Sequence, residues 1–168
     1  MLSKKVEKMI NDQMNFEIYS GYIYLAMGAY MDSLDLTGFA NWMKVQWQEE
    51  FFHAQKMYNY LLERGGRPFL TEVPAPPKDW KSVKAAFEHA LEHEQIVTGR
   101  INDIMNVAIK ENDHATRSFL NWYVDEQVEE EASVDAIIKK LKLMKESGHG
   151  MYILDKELGA RTFTAPAE

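Results

Sequence analysis

Apolar side chains recur at alternating steps of three and four along four long stretches of this chain, the period of a helix with one buried face. The first seam reads Val6, Ile10, Gln13, Glu17, Ser20, Tyr24, Met27, Met31. The second reads Phe39, Met43, Gln46, Glu50, His53, Met57, Tyr60. The third reads Val83, Phe87, Ala90, Glu94, Val97, Ile101, Ile104, Ala108. The fourth reads Leu120, Tyr123, Gln127, Glu130, Val134, Ile137, Leu141, Met144. Start and stop signals bound these stretches. A helix is predicted over 4–32 with Ser3 as N-cap, and a second over 36–64 with Asp35 as N-cap and Gly65-Gly66 as the stop. A third is predicted over 80–110 after Asp79, a fourth over 114–145 after Asp113, and a short fifth over 149–158 after Ser147-Gly148. No segment has a strand pattern or an internal repeat.

Connection lengths then set the topology. The links between the first and second, and third and fourth, helices are so short that each pair is antiparallel. Residues 65–79 are different, with prolines at 68, 74, 76 and 77, which favour extended chain. Extended, this segment reaches roughly 50 Å, and a helix over 36–64 is roughly 43 Å long. It can therefore run the length of the bundle and set helices two and three parallel. Trp80, Phe69 and Leu70 are its expected anchors. The expectation is one all-α domain over 1–168: a four-helix bundle with one long crossover between helices two and three, plus a short fifth helix.

Each apolar seam is broken near its midpoint by a carboxylate. The helix midpoints fall near 18, 50, 95 and 129, and the breaks at Glu17, Glu50 with His53, Glu94, and Gln127 with Glu130. Groups at the midpoints of full-length antiparallel helices meet at one level whichever way each helix runs. These six side chains are therefore expected to converge. An ionised carboxylate buried without a partner costs several kcal/mol, and no Lys or Arg occupies a central seam position. Protons or metal cations remain as compensators. Carboxylate oxygens with one imidazole suit iron or manganese and do not suit a closed structural zinc site. Glu50-x-x-His53 is an i, i+3 pair on one helix face; alone it is a weak signal, and the constellation carries the reading.

Composition narrows the chemistry further. There is no Cys, so disulfides, thiolate metal sites and cysteine nucleophiles are excluded, which suits a reducing cytoplasm. The net charge of −7 argues against general nucleic-acid binding. It suits cationic partners, or simply solubility. Residues 1–15 mix Lys, Glu, Asp and Asn and do not read as a signal peptide. No apolar run is long enough to span a membrane. Glu49, Glu126 and Glu129 lie on helix faces next to the central set, either as solvated surface acids or, with Glu130, as an adjacent third metal position. Tyr24 follows Glu17 by two turns, as core packing or as a redox-active or hydrogen-bonding neighbour of a metal. Trp122 reads as packing. His89, His93, His114 and His149 lack seam partners and read as surface residues.

Several stretches together resemble bacterial-type non-haem ferritins over almost the full chain: Asn11-Asp12-Gln13 through Glu17, Gln48-Glu49-Glu50 with His53-Ala54, Arg64-Gly65-Gly66, His114-Ala115-Thr116, and above all residues 122–131, WYVDEQVEEE. The segment 148–158 resembles that family's short fifth helix. The resemblance implies a ferritin-like fold and iron storage with ferroxidase activity, using O2 or peroxide as acceptor. It implies that Glu17, Glu50 and His53 hold one iron. Glu94 and Glu130 would hold a second, with Glu50 bridging and Gln127 beside it. Glu49, Glu126, Glu129 and Glu130 would form a third site, and Tyr24 and Trp122 would lie next to the centre. It also implies a hollow homo-oligomeric shell of about 24 subunits.

Related families fit less well. Haem-carrying bacterioferritin resembles this pattern but has Glu-x-x-His on helix four as well and an interface Met. Gln127, Glu130 and Phe51 stand at those positions here, so no haem is expected. A DNA-protecting mini-ferritin lacks the fifth helix, and a rubrerythrin-type peroxidase needs cysteines. A haem-free di-iron peroxide-detoxifying protein stays open as an alternative function. A non-catalytic helical interaction module would leave the buried carboxylates unexplained.

Overall fold

A computed structural model describes residues 2–145 and 147–165. The helices are α1 (Lys4–Ser33), α2 (Thr37–Glu63), α3 (Val83–Lys110), α4 (His114–Met144) and α5 (Gly148–Leu158), and no strand occurs among the described residues. Four of the five predicted helices start within a residue or so of the expected positions. Ser3 caps α1 by accepting from the Val6 amide at 3.2 Å, and Asp113 caps α4 by accepting from Thr116 at 3.1 Å.

Two expected caps are corrected. Asp79 does not start α3; Ser82 does, accepting from the Ala85 amide at 3.1 Å. Asp35 does not cap α2. It sits at φ 57° in the left-handed region, closing the turn after α1, and the residue preceding α2 is Leu36, with no side-chain cap. The cap comes from α5 instead, where Asp155 Oδ1 accepts from the amides of Gly38 (2.8 Å) and Phe39 (3.0 Å). A Cβ on Gly38 would stand 1.6 Å from the Asp155 carbonyl oxygen, so only glycine allows this approach.

The core is split into two apolar halves. One joins Ile23–Met31 of α1, Phe39–Met43 of α2, Ala86–Ala90 of α3, Val134–Leu141 of α4, and Leu154 and Leu158 of α5. The other joins Val6–Met14, Ala54–Leu61, Val97–Ile104, and Leu120 with Tyr123. The early part of α1 thus meets the late parts of α2 and α3 and the early part of α4. Helices α2 and α3 are parallel, and the one-crossover topology holds.

The crossover is pinned along α1. Asn11 donates to Arg67 O (3.1 Å) and accepts from the Phe69 amide (2.9 Å). One turn on, Asn15 donates to Phe69 O (3.0 Å) and accepts from the Thr71 amide (2.9 Å). Two asparagines four residues apart therefore pair with extended backbone much as a strand would. The expected anchors change accordingly: Phe69 and Leu70 are exposed. Trp80 does anchor, accepting from Tyr30 Oη on its carbonyl at 2.9 Å and donating from its indole to His89 at 3.0 Å.

Candidate metal centre

Between the two apolar halves lies a polar layer in which Glu17, Gln46, Glu50, His53, Glu94, Gln127 and Glu130 are all buried. Each sits at a seam position, so the helical period that builds the core also aims these groups at one another. Glu17, Glu50 and His53 each present a donor atom, and the three lie within 4.8 Å of one another. His53 Nδ1 stands 3.6 Å from Glu50 Oε2, and its Nε2 faces Glu126 Oε1 at 3.9 Å. His53, Glu126 and Glu130 form a second such group. One imidazole therefore borders two carboxylate clusters, a sharing that helix spacing does not reveal.

The remaining central residues are oriented by hydrogen bonds. Tyr24 Oη donates to Glu94 Oε1 at 2.5 Å. Gln127 Nε2 donates to Glu94 Oε2 and to the Glu94 carbonyl, both at 3.2 Å. Gln46, a seam residue without an expected role, donates to Glu130 Oε2 at 2.7 Å. Gln13 donates to Glu17 Oε1 at 2.8 Å, while its own carbonyl oxygen accepts from Arg100 Nε at 2.6 Å. Arg100 also donates to Asp12 O at 3.0 Å and lies 4.1 Å from the Phe16 ring centroid. A cation thus does approach the centre, from outside the seam and through an amide. It fixes which end of Gln13 faces Glu17.

Electrostatics record the strain of this packing. Burial pushes Glu17 up to about 7; the Gln13 amide pulls the other way and the neighbouring Glu94 adds to the rise. Burial also pushes Glu50 and Glu130 well above the usual carboxylate range, with Glu94 the next cause for each. Glu94 is raised by burial too, against its bonds from Tyr24 and Gln127. His53 is pushed down to about 4, first by burial and then by Lys56, so it is a neutral imidazole near neutral pH. Glu17 Oε2 is buried with no hydrogen-bond partner. Neutral imidazole, clustered carboxylates and an orphaned buried oxygen form the donor set of a hard or borderline divalent cation.

Among the outer residues, Glu126 is half-buried and raised by burial, then by Glu129 and Glu49. Glu129 is exposed. Glu49 is also raised by burial, and its Oε2 accepts from Arg161 Nη2 at 2.7 Å. Trp122 lies edge-on to His53, with ring centroids 5.4 Å apart, and Lys56 lies over its face. Of the histidines expected at the surface, His114 and His149 are exposed and His89 is half-buried. His93 is a correction: it is buried, with Nε2 2.7 Å from Ser20 Oγ and its ring stacked on Phe16 at 5.1 Å. Its partner Ser20 sits in the seam of α1, so the missing seam partner was a small polar residue.

Comparison with known proteins shows the family and the fold. A family model described as a ferritin-like domain matches residues 7–144. The chain is 44% identical over 163 residues to the bacterial non-heme ferritin of Staphylococcus aureus strain USA300, covering 97% of this chain and 98% of that protein. It is 42% identical over the same shares to the corresponding protein of Staphylococcus saprophyticus. Among solved structures, a humanized archaeal ferritin superposes with a TM-score of 0.97 at 52% identity, over 98% of this chain and 99% of that one. A novel open pore ferritin from the hyperthermophilic archaeon Archaeoglobus fulgidus superposes with a TM-score of 0.96 at 52% identity, over 96% and 100%.

Proposed function

The chain belongs to the ferritin family, whose members store iron, and from that premise we propose that it oxidises Fe(II) at a di-iron centre inside each subunit and stores the product as ferric mineral. The observation that carries this reading is the buried cluster of Glu17, Glu50 and His53, together with a buried Glu17 oxygen that has no hydrogen-bond partner. Glu17, Glu50 and His53 hold one substrate iron. Glu94 and Glu130 hold the second, Glu50 bridges the two, and Gln127 lies beside the second. Tyr24 positions Glu94, and Gln46 positions Glu130.

Two Fe(II) ions lose one electron each. One O2 takes both electrons with two protons and becomes peroxide, or one peroxide takes them with two protons and becomes two waters. Carboxylates hold a ferric product better than a ferrous one because they are hard oxygen donors. Binding displaces the protons that the buried carboxyls otherwise keep, so the centre exchanges protons for metal. Glu49, Glu126, Glu129 and Glu130 serve as a third position on the way out. No haem takes part.

A homo-oligomeric shell, about 24 copies in a cytoplasmic particle of roughly half a megadalton, accounts for the apolar side chains left exposed on one subunit. They include Tyr22, Leu25, Phe51, Tyr58, Tyr152 and Ile153. Helix α5 divides its apolar surface between two tasks. Leu154 and Leu158 complete the subunit's own core, and Tyr152 with Ile153 remain for subunit contacts.

A crystal soaked anaerobically in Fe(II) tests the centre. Two irons per subunit, one of them within bonding distance of Glu17, Glu50 and His53, are expected. No iron in the polar layer, or aerobic Fe(II) oxidation no faster than in buffer, overturns the reading. Light scattering that finds a monomer or dimer under all conditions overturns the shell.

A further inference from the structure

After α5 the chain turns back along α2. Asn41 Nδ2 faces the carbonyls of Leu158 (3.3 Å), Gly159 (3.5 Å) and Arg161 (2.9 Å) and donates among them. This tether holds Arg161 against the outer acids. Its guanidinium carbon lies 4.7 Å from the Trp42 ring centroid, and Nη2 donates to Glu49. Two residues on, the Phe163 ring meets Phe52 at 6.4 Å, and Phe52 in turn lies against His53 and Trp122. The other nearby cation, Lys56, lies over Trp122 with its ammonium 4.9 Å from the ring centroid.

Arg161 thus places a positive charge beside carboxylates that repel one another. Glu49 and Glu126 each feel Glu129, and Glu130 in the polar layer feels both Glu49 and Arg161. Arg161 holds one of the two Glu49 carboxylate oxygens, so a metal ion bound by both would compete for Oε2, and one bound by Oε1 alone would still meet the repulsion of the guanidinium charge. We propose that Arg161 sets the metal stoichiometry of the site: its guanidinium stands in for a third cation, and the outer position fills only when the Arg161–Glu49 pair parts. This rests on the assignment of Glu49, Glu126 and Glu129 to an outer iron position.

The pair is built to be released. Arg161 Nη1 is buried with no partner, so the guanidinium is only partly satisfied where it sits. Both side chains keep some exposure, 26% and 20%, so water can receive either group. The Asn41 tether holds the tail backbone while the guanidinium swings away from Glu49. Iron leaving the inner centre for the outer position thereby moves one arginine.

The test is anaerobic calorimetric titration of the assembled protein with Zn(II), which binds without redox chemistry. Wild type is expected to take two equivalents tightly and a third more weakly. Arg161→Gln should tighten the third equivalent about fivefold and change the first two much less. Asn41→Ala, which keeps the charge but frees the tail, should move the third equivalent the same way by less. A third equivalent unchanged in both variants overturns the proposal. So does equal tightening of all three. Absence of the first two equivalents in wild type would instead overturn the di-iron centre itself.

Discussion

Glu49 and Glu50 are neighbours in the chain and occupy different electrostatic surroundings. One residue of helix turns the side chain by about 100°. That rotation carries Glu50 into the polar layer with 1% exposure and leaves Glu49 at the edge, paired with Arg161. The same division separates Glu130 from Glu129 on α4. The inner acids have only amides, a phenol and one another as partners. Protons or metal ions must complete them. The outer acids have solvent and a guanidinium within reach. A proton or a metal ion is therefore required by the inner set near neutral pH, and a cation is optional for the outer set, although the residue type is identical.

The largest expected effect breaks the inner set. Glu17→Ala and His53→Ala each remove a ligand, and the initial rate of Fe(II) oxidation should fall by about a hundredfold. Circular dichroism should show the bundle intact. Wild-type rates in both variants would erase the distinction between inner and outer acids.

The next effect sharpens it through pH. Glu17 is raised in the folded protein from 4.5 to about 7. Its contribution to stability is therefore fully present below about 4.5 and is lost as pH rises through about 7. Glu17→Gln removes that loss. In metal-free protein the variant should gain on wild type between pH 5 and pH 8, by at most about 3 kcal/mol. His53 and His93, both held near 4 by burial, contribute in the opposite direction but are common to both proteins. Saturating Zn(II) should reverse the ranking, because the variant has lost a ligand. Thermal melts at the two pH values, with and without metal, read both signs.

A smaller effect is expected from the amide that orients Glu17. Arg100→Leu leaves Gln13 free to flip its oxygen toward the carboxylate. Metal affinity at the inner centre should fall about tenfold, whereas Arg100→Lys should recover part of it. Equal affinity in all three proteins would show that Gln13 needs no orienting partner. The smallest effect falls on the outer set. Glu49→Ala combined with Glu126→Ala should leave the first turnover close to wild type and change the Fe:O2 ratio or the release of Fe(III) a few-fold. Unchanged stoichiometry would make these residues plain surface acids.

The inner set was legible because burial and period are the same signal. Glu17, Glu50, Glu94 and Glu130 interrupt apolar seams, and a seam position is a core position. The crossover was legible from prolines and length. What escaped depends on contacts between residues distant in the chain. Ser20 and His93 meet across α1 and α3, 73 residues apart. Arg100 reaches its amide from outside any seam. Arg161 lies beyond the last helix, where no periodicity exists to place it. Of the expected anchors of the crossover Trp80 holds, while Phe69 and Leu70 were favoured by hydrophobicity alone; the other fixed points are the asparagines of α1, which bond to backbone and leave no trace in the crossover's own side chains.

The cap that Asp155 places on α2 has a consequence for how the chain is made. The carboxylate that closes the first turn of α2 lies 117 residues downstream of Gly38. During synthesis α1 and α2 can pair early, but the start of α2 must stay frayed until α5 has been added. Interactions of such long sequence separation form late and slowly. The last helix therefore acts as a latch on nascent protein: a chain stalled before it would carry an open helix end and an uncovered half-core, the features by which quality control recognises incomplete products.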